Sequence, residues 1–244
     1  MTASPLRPTS ELVPSVDCLA TTPPTPRGPA ADKKYLSSLD PSNPYGFSDA
    51  LRNAAAQDPV VTDRHIYFFG YEGREPHVCL QQWFPAPFTA PRNPYIGDES
   101  EVQFPTTEHY MMYHKALLMG DQEIADKILS RDNAHPSRAK ALGREVKNFD
   151  LDIWQQNADR VVYEGNVRKF GQDKHLQAIL LGTGDRIIVE ASPDDRIWGI
   201  GFAPNDAPGK ESEWGNNGLG KALMRAREQL LSEYPNQQKL ESHV

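Results

Sequence analysis

The chain has 244 residues, 27.3 kDa and a formal net charge of −7, enough for one large domain or one domain with a tail. Its 33 Asp and Glu against 26 Lys and Arg exclude a nonspecific nucleic-acid coat, which needs a cationic surface, but leave room for a local basic groove. Cys18 and Cys79 stand far apart, give no disulfide framework and suit a reducing compartment. No apolar run approaches the ~20 residues of a bilayer span, and no basic-then-apolar signal opens the chain, so a cytoplasmic protein without a membrane partner is expected, the nucleus remaining open.

Residues 1–60 read as a disordered tail. Pro, Ser and Thr are dense from 2 to 30, and no apolar period is available to offset the ordering entropy. Within it, Pro23-Pro24-Thr25-Pro26 is compatible with a proline-helix ligand, though a plain tail is the simpler reading. Residues 47–56 have weak helical character. The domain is expected over 61–234, opening near Asp63, with 235–244 a short polar C-terminal tail.

The aromatic run 65–71 ends at glycine, as a buried strand does. Residues 78–84 and 101–104 are further strand candidates, and the proline-rich 85–97 between them reads as a loop. At Pro105-Thr106-Thr107-Glu108 the pattern turns helical. A threonine precedes good helix formers and can cap the free amides, and Glu108 falls in the first turn, where the helix dipole favours its ionised form. Lys115 lies two turns on at about 3.6 residues per turn and shares a face with Glu108, with Met111 and Met112 between. That arrangement is either a site or an ordinary solvated face.

Further helices are expected around Ile124–Leu129, over 137–147, 154–170 and 173–181. Residues 186–190 read as a strand, and a Gly-, Pro-, Asp- and Asn-rich loop runs to Asn217. Leu219, Leu223, Ala226 and Leu230 then mark a last amphipathic helix. Helices outnumber strands without βαβ alternation, so the expected fold class is α+β: one predominantly helical domain with a few short strands.

Several motifs fail inspection. Gly215-Asn216-Asn217-Gly218-Leu219-Gly220-Lys221 nearly spells a P-loop, but Ala222 stands where magnesium needs Ser or Thr and no apolar strand leads in. What remains is a helix start able to receive a phosphate on backbone amides, or an ordinary flexible one. His109 and His114 are five apart, off the spacing that sets two metal ligands on one helical face, so no metal and no cofactor are expected. Asp194-Asp195-Arg196-Ile197-Trp198-Gly199 follows a strand and joins acids, an aromatic plane and a small residue. It reads equally as a site loop or as a turn with Trp198 as core filler.

Taken in order, these pieces resemble the NADAR (NAD and ADP-ribose) domain, the YbiA-like N-glycosidase family. The matching residues are Thr107-Glu108-His109-Tyr110 with Lys115-Ala116; Ala139-Lys140 with Gly143-Arg144; Trp154; Lys169-Phe170; Leu180-Leu181 with Thr183; Val189-Glu190-Ala191; Asp195 with Trp198-Gly199; and Asn217, Leu219-Gly220 and Leu223-Met224. The likeness runs from about His65 to Leu231. Where many members carry Leu-Ser-Asn-Phe, this chain has Leu80-Gln81-Gln82-Trp83, and Gln82 keeps an amide one methylene longer. The segments 88–100 and 203–214 look extended, and rim loops usually set selectivity.

The resemblance implies hydrolysis of a C–N bond at a ribose anomeric carbon. The substrate would be a phosphorylated ribosylamino-pyrimidine of riboflavin synthesis, or ADP-ribose on a nucleobase, with ADP-ribosylated nucleic acid a further carrier. It also implies catalytic roles for Glu108, Lys115 and Asp195. Glu108 and Asp195 would divide charge stabilisation and proton handling, and Lys115 would attack the sugar carbon and form a Schiff base. Trp198 would stack on base or sugar. Asn217 and the helix start at Gly218–Gly220 would hold phosphate with Arg144, and Gly199, Gln82 and Glu190 would complete the substrate contacts. The rival is a module that binds ADP-ribose or a nucleotide without turnover.

Overall fold

The computed structural model describes residues 53–73 and 75–233. The expectations for 1–52, including Pro23–Pro26, and for the C-terminal tail 235–244 lie outside these residues. Residues 53–55 are helical, and Ala54 is fully buried. Residues 53–60, assigned to the tail by composition, therefore pack in the domain.

Strand β1 (Val60–Val61) runs antiparallel to β2 (His65–Phe68), and β2 pairs in parallel with β5 (Ile187–Glu190). In that register Tyr67 faces Val189 and Phe68 faces Glu190. A parallel pair needs a crossover, and here it holds every helix from Thr107 to Leu181, with one long helix left to follow β5. β2 stops short of the expected residue 71 because the chain turns at Gly70, whose φ is 83°. A side chain there would meet the Ala55 carbonyl oxygen at 2.5 Å.

Two strand assignments fail in instructive ways. Residues 78–84 are not a strand: a 3-10 helix covers Pro76–Leu80, opened by proline, and buries Val78, Cys79 and Leu80. A short apolar run does not reveal its own conformation. Conversely, the proline-rich 85–97 contains β3 (Phe88–Asn93), which pairs with β4 (Asp98–Phe104) in an antiparallel hairpin. Pro91 is tolerated because the sheet has two strands only, each an edge, and the register is irregular between Pro91 and Asn93.

The helices lie close to expectation: α1 (Thr107–Leu118), α2 (Gln122–Leu129), α3 (Pro136–Arg144), α4 (Leu151–Gln172), α5 (Lys174–Leu181) and α6 (Gly218–Glu233). Thr106 caps α1, its side chain accepting from the His109 N–H, and Asp150 caps α4 through Ile153. α4 packs on α1 and α6, and α6 packs on β5. The main core gathers Ile66, Phe68, Phe104, Tyr113, Phe170 and Leu223. The fold is α+β and mostly helical. Among the described residues no helix is long and apolar enough to cross a membrane.

Candidate active site

α1 and β5 face each other across a cleft, and the elements that fill the gap supply its charges. The cleft has two lobes. One, of about 240 Å³, is lined by Glu108, Met111, Met112 and Lys115 of α1 and by Trp198 and Leu219 opposite. The other, of about 320 Å³, is lined by Phe69, Tyr71, Ser192 and Asp194. Gln81, Trp83, Lys140, Arg144, Glu190 and Asp195 belong to both.

On the α1 wall, Glu108 is buried at the first turn, its N–H donating to the Gln82 carbonyl at 3.2 Å. Sequence position favoured the charged form. Burial works against that and raises the carboxyl above the ordinary range, with Asp195 adding to the rise, while Lys140, Trp83 and Arg144 oppose it. Lys115 is half-buried. Its Nζ donates to the Gly143 carbonyl at 2.7 Å and stands 4.4 Å from the Phe149 ring centroid. Burial, then the nearby Arg144 charge, lower its pKa, and Glu108 counters them. An amine so placed reaches its neutral, nucleophilic form more readily than a surface lysine.

The opposite wall is built by distant contacts. Glu190 ends β5 and is buried. Its N–H donates to Asn217 Oδ1 at 3.0 Å and its carbonyl accepts from the Ile200 N–H at 3.0 Å. Asn217 Nδ2 donates to the Ile188 carbonyl at 2.8 Å. The carboxyl accepts from Gln81 Nε2 at 3.2 Å through Oε1. Burial first, and Asp195 next, push Glu190 up to about 8, against the Gln81 hydrogen bond and Lys140. Asp195 is half-buried, and its Oδ1 accepts from the N–H groups of Ile197 and Trp198, each at 2.8 Å. It is therefore a turn former and a lining carboxylate at once, and Trp198 is both packed against the core and a lining residue.

Two further elements close the cleft. On α3, Lys140 and Arg144 are four apart and expose their heads on one face, with Lys140 Nζ 5.7 Å from the Trp83 ring centroid. The turn after Leu80 is held by Lys169, a fully buried lysine of α4 whose Nζ donates to the carbonyls of Cys79 at 2.6 Å and Gln81 at 2.9 Å. Gln82 bridges α1 and α4: its amide contacts Met111 Sδ at 3.6 Å and accepts from Asn166 Nδ2 at 3.3 Å.

Of the residues singled out by sequence, Glu108, Lys115, Asp195, Trp198, Arg144, Gln82 and Glu190 line this cleft. Asn217, Gly199 and Gly220 do not. Asn217 has its side chain bonded at both ends to β5, to the Glu190 N–H and the Ile188 carbonyl. A side chain at Gly220 would meet the Ile188 carbonyl oxygen at 2.1 Å, and one at Gly199 would meet Ser192 Cβ at 2.8 Å, so both glycines serve close packing. The extended segments 88–100 and 203–214 contribute no lining residue to either lobe. Trp214 instead packs with Tyr67 and His65, away from the cleft. Sequence reading passed over Gln81, Trp83 and Lys140 as site residues. The spacing of Lys140 and Arg144 was a usable signal; nothing local marked Gln81. Among the described residues no group of three or more His, Cys, Asp or Glu could hold a metal ion.

The model of the NADAR domain matches residues 67–231. Over 173 residues the chain is 41% identical to N-glycosidase R617 of Acanthamoeba polyphaga mimivirus, covering 70% of this chain and 98% of that one. Over 153 residues it is 32% identical to the chloroplastic riboflavin biosynthesis protein PYRR of Zea mays, covering 60% of this chain and 23% of that one. The NMR structure of the Escherichia coli protein YbiA superposes with a TM-score of 0.55 at 26% identity, over 75% of this chain and 94% of that one. The match spans both walls of the cleft, and the chain belongs to the NADAR domain family.

Proposed function

We propose that the chain is an N-glycosidase that hydrolyses the C–N bond of a phosphorylated ribosylamino-pyrimidine or of ADP-ribose attached to a nucleobase. The observation that carries this reading is the convergence of a half-buried amine, three carboxyls and two exposed cations on one lobe of the cleft. Breaking the C1–N bond builds positive charge on the ribose, which an adjacent carboxylate stabilises. Asp195, ordered by two backbone N–H groups, suits that role. Lys115 approaches C1 as the neutral amine and forms the bond that becomes a Schiff base with the opened ribose. Glu108, on the same helical face, is made a stronger base by its raised pKa, and its carboxylate form receives the proton that Lys115 must lose. Lys140 and Arg144 take the phosphate in place of the helix start, and the Trp83 and Trp198 rings offer planes for base and sugar.

The test is incubation of the full chain with a ribosylamino-pyrimidine 5′-phosphate and, separately, with an oligonucleotide carrying guanine-linked ADP-ribose. Free base and ribosyl phosphate are scored by mass spectrometry. Release from either supports the reading and names the substrate. Tight ADP-ribose binding with no release from either makes the chain a binding module.

A further inference from the structure

A two-part substrate seated with one part in each lobe puts the bond between its parts where the lobes meet. A proton donor for the leaving nitrogen has to stand on the wall they share, within hydrogen-bond reach of that bond. The shared wall holds two carboxyls, Glu190 and Asp195. Asp195 commits Oδ1 to two N–H donors, which holds it as an acceptor. Glu190 differs. Its Oε1 accepts from Gln81, while its Oε2 is buried and has no hydrogen-bond partner. A buried carboxyl oxygen that accepts nothing is lowest in free energy when it carries a proton.

From this geometry we infer that Glu190 is the general acid that protonates the departing nitrogen. The inference rests on the N-glycosidase reading and adds to it the one proton that Glu108, Lys115 and Asp195 leave unassigned. Rotation about the last side-chain bond, a broad two-fold torsion, exchanges the two oxygens and presents the sheltered proton to the cleft. The backbone does not move with it, because Asn217 and Ile200 hold both the N–H and the carbonyl of Glu190. As the C1–N bond breaks, its electron pair goes to nitrogen, which takes the Glu190 proton. The carboxylate regains a proton from the water whose hydroxyl ends on C1, so one water is consumed in each cycle. The titratable and charged groups that line the cleft with Glu190 are Glu108 and Lys115 of α1, Asp194 and Asp195 of the following loop, Lys140 and Arg144 of α3, and Tyr71. Asp195 and Glu108 favour its protonated form, and Lys140 opposes them.

The experiment compares the unmodified chain with Glu190→Gln, which keeps the size of the side chain and an oxygen for Gln81, on both substrates named above. Glu190→Gln is expected to lower kcat by about 10²–10⁴-fold with KM little changed. The unmodified chain is expected to lose activity as pH rises through about 8, because the acid form is the working one, and the variant to lack that decline. Glu190→Asp retains an acid and is expected to recover part of the lost rate together with the alkaline decline. A Glu190→Gln chain within about threefold of full kcat overturns the assignment. So does a decline that survives in Glu190→Gln, or one that Lys140→Met alone abolishes, which assigns the proton to Lys140. A Glu190→Asp chain no faster than Glu190→Gln makes Glu190 structural. If the unmodified chain releases base from neither substrate, the N-glycosidase reading itself falls; an active Glu190→Gln chain overturns only the role of Glu190.

Discussion

The two walls of the cleft reach the same end by opposite routes. On the α1 wall, Glu108 and Lys115 are placed by one helix, whose turn sets their common face and whose Thr106 cap fixes where it starts. On the β5 wall, Glu190 and Asp195 owe their positions to Asn217, Ile200 and Gly199, contributed by segments that follow in the chain and fold back. A helix preorganises its site locally and tolerates change outside it. A strand end preorganises only through its neighbours, and damage to them is damage to the site.

Breaking the local wall is expected to give the largest effect on activity with the smallest on stability. Lys115→Met keeps length and apolar stem but removes the nucleophile, so turnover should fall below detection while the melting temperature moves little. The lost hydrogen bond to Gly143 is worth about 1 kcal/mol. Borohydride added during turnover of the unmodified chain should leave the mass of the sugar fragment on Lys115. Full activity in Lys115→Met would remove the covalent route and leave hydrolysis by carboxylates alone.

Breaking the borrowed wall is expected to cost both properties together. Asn217→Ala orphans the Glu190 N–H and the Ile188 carbonyl and places alanine at φ 54°, so urea denaturation should register a loss of about 2–4 kcal/mol. Activity should drop alongside, though no atom of Asn217 lines the cleft. Asn217→Asp sharpens this, since it keeps the acceptor for Glu190 and removes only the donor to Ile188. Gly220→Ala should cost about 1–3 kcal/mol, because its methyl forces α6 and β5 apart. A stable, fully active Asn217→Ala would show that Glu190 does not depend on its neighbours.

Smaller effects test the edges of the comparison. Removal of residues 1–46 is expected to leave the melting temperature nearly unchanged. Removal of 1–62 should lower it, because it strips β1 and the buried Ala54 and uncovers Gly70. Equal melting of the two would return the domain boundary to Asp63. The last readout is the pH dependence of stability. Glu190 holds its proton in the folded state up to about 8, whereas the unfolded chain releases it near 4.3. Unfolding therefore gains as pH rises between those values, so stability falls over that window. Glu190→Gln should flatten the slope, and an unchanged slope would mean that Glu190 is not the buried acid its contacts imply.

Legibility followed the range of the interactions. α1, α4 and α6 could be read because capping residues and apolar stripes recur every few positions, and the face shared by Glu108 and Lys115 is a property of a single helix. The hairpin of β3 and β4 could not, because Pro91 argues against a strand until it is known that the strand is an edge. Residues 78–84 misled for a related reason: an apolar run states that it is buried and is silent about its conformation.

The sequence by itself determined the helical α+β class, the placing of Glu108 and Lys115 on one face, and enough ordered motifs to mark the NADAR resemblance. Only the tertiary structure decided in which direction the carboxyls of the cleft shift and which partners its polar residues find. The dipole of α1 favours a charged Glu108, but that contribution is small beside the loss of solvent when β5, α3 and the 81–83 turn close over it. Asn217, expected from the resemblance to hold phosphate, bonds the backbone of β5 with both ends of its amide, because a buried strand end has backbone groups that must be paired. Charge is set by burial, and burial is the sum of contacts made by residues more than a hundred positions apart, as Gln81 and Glu190 are.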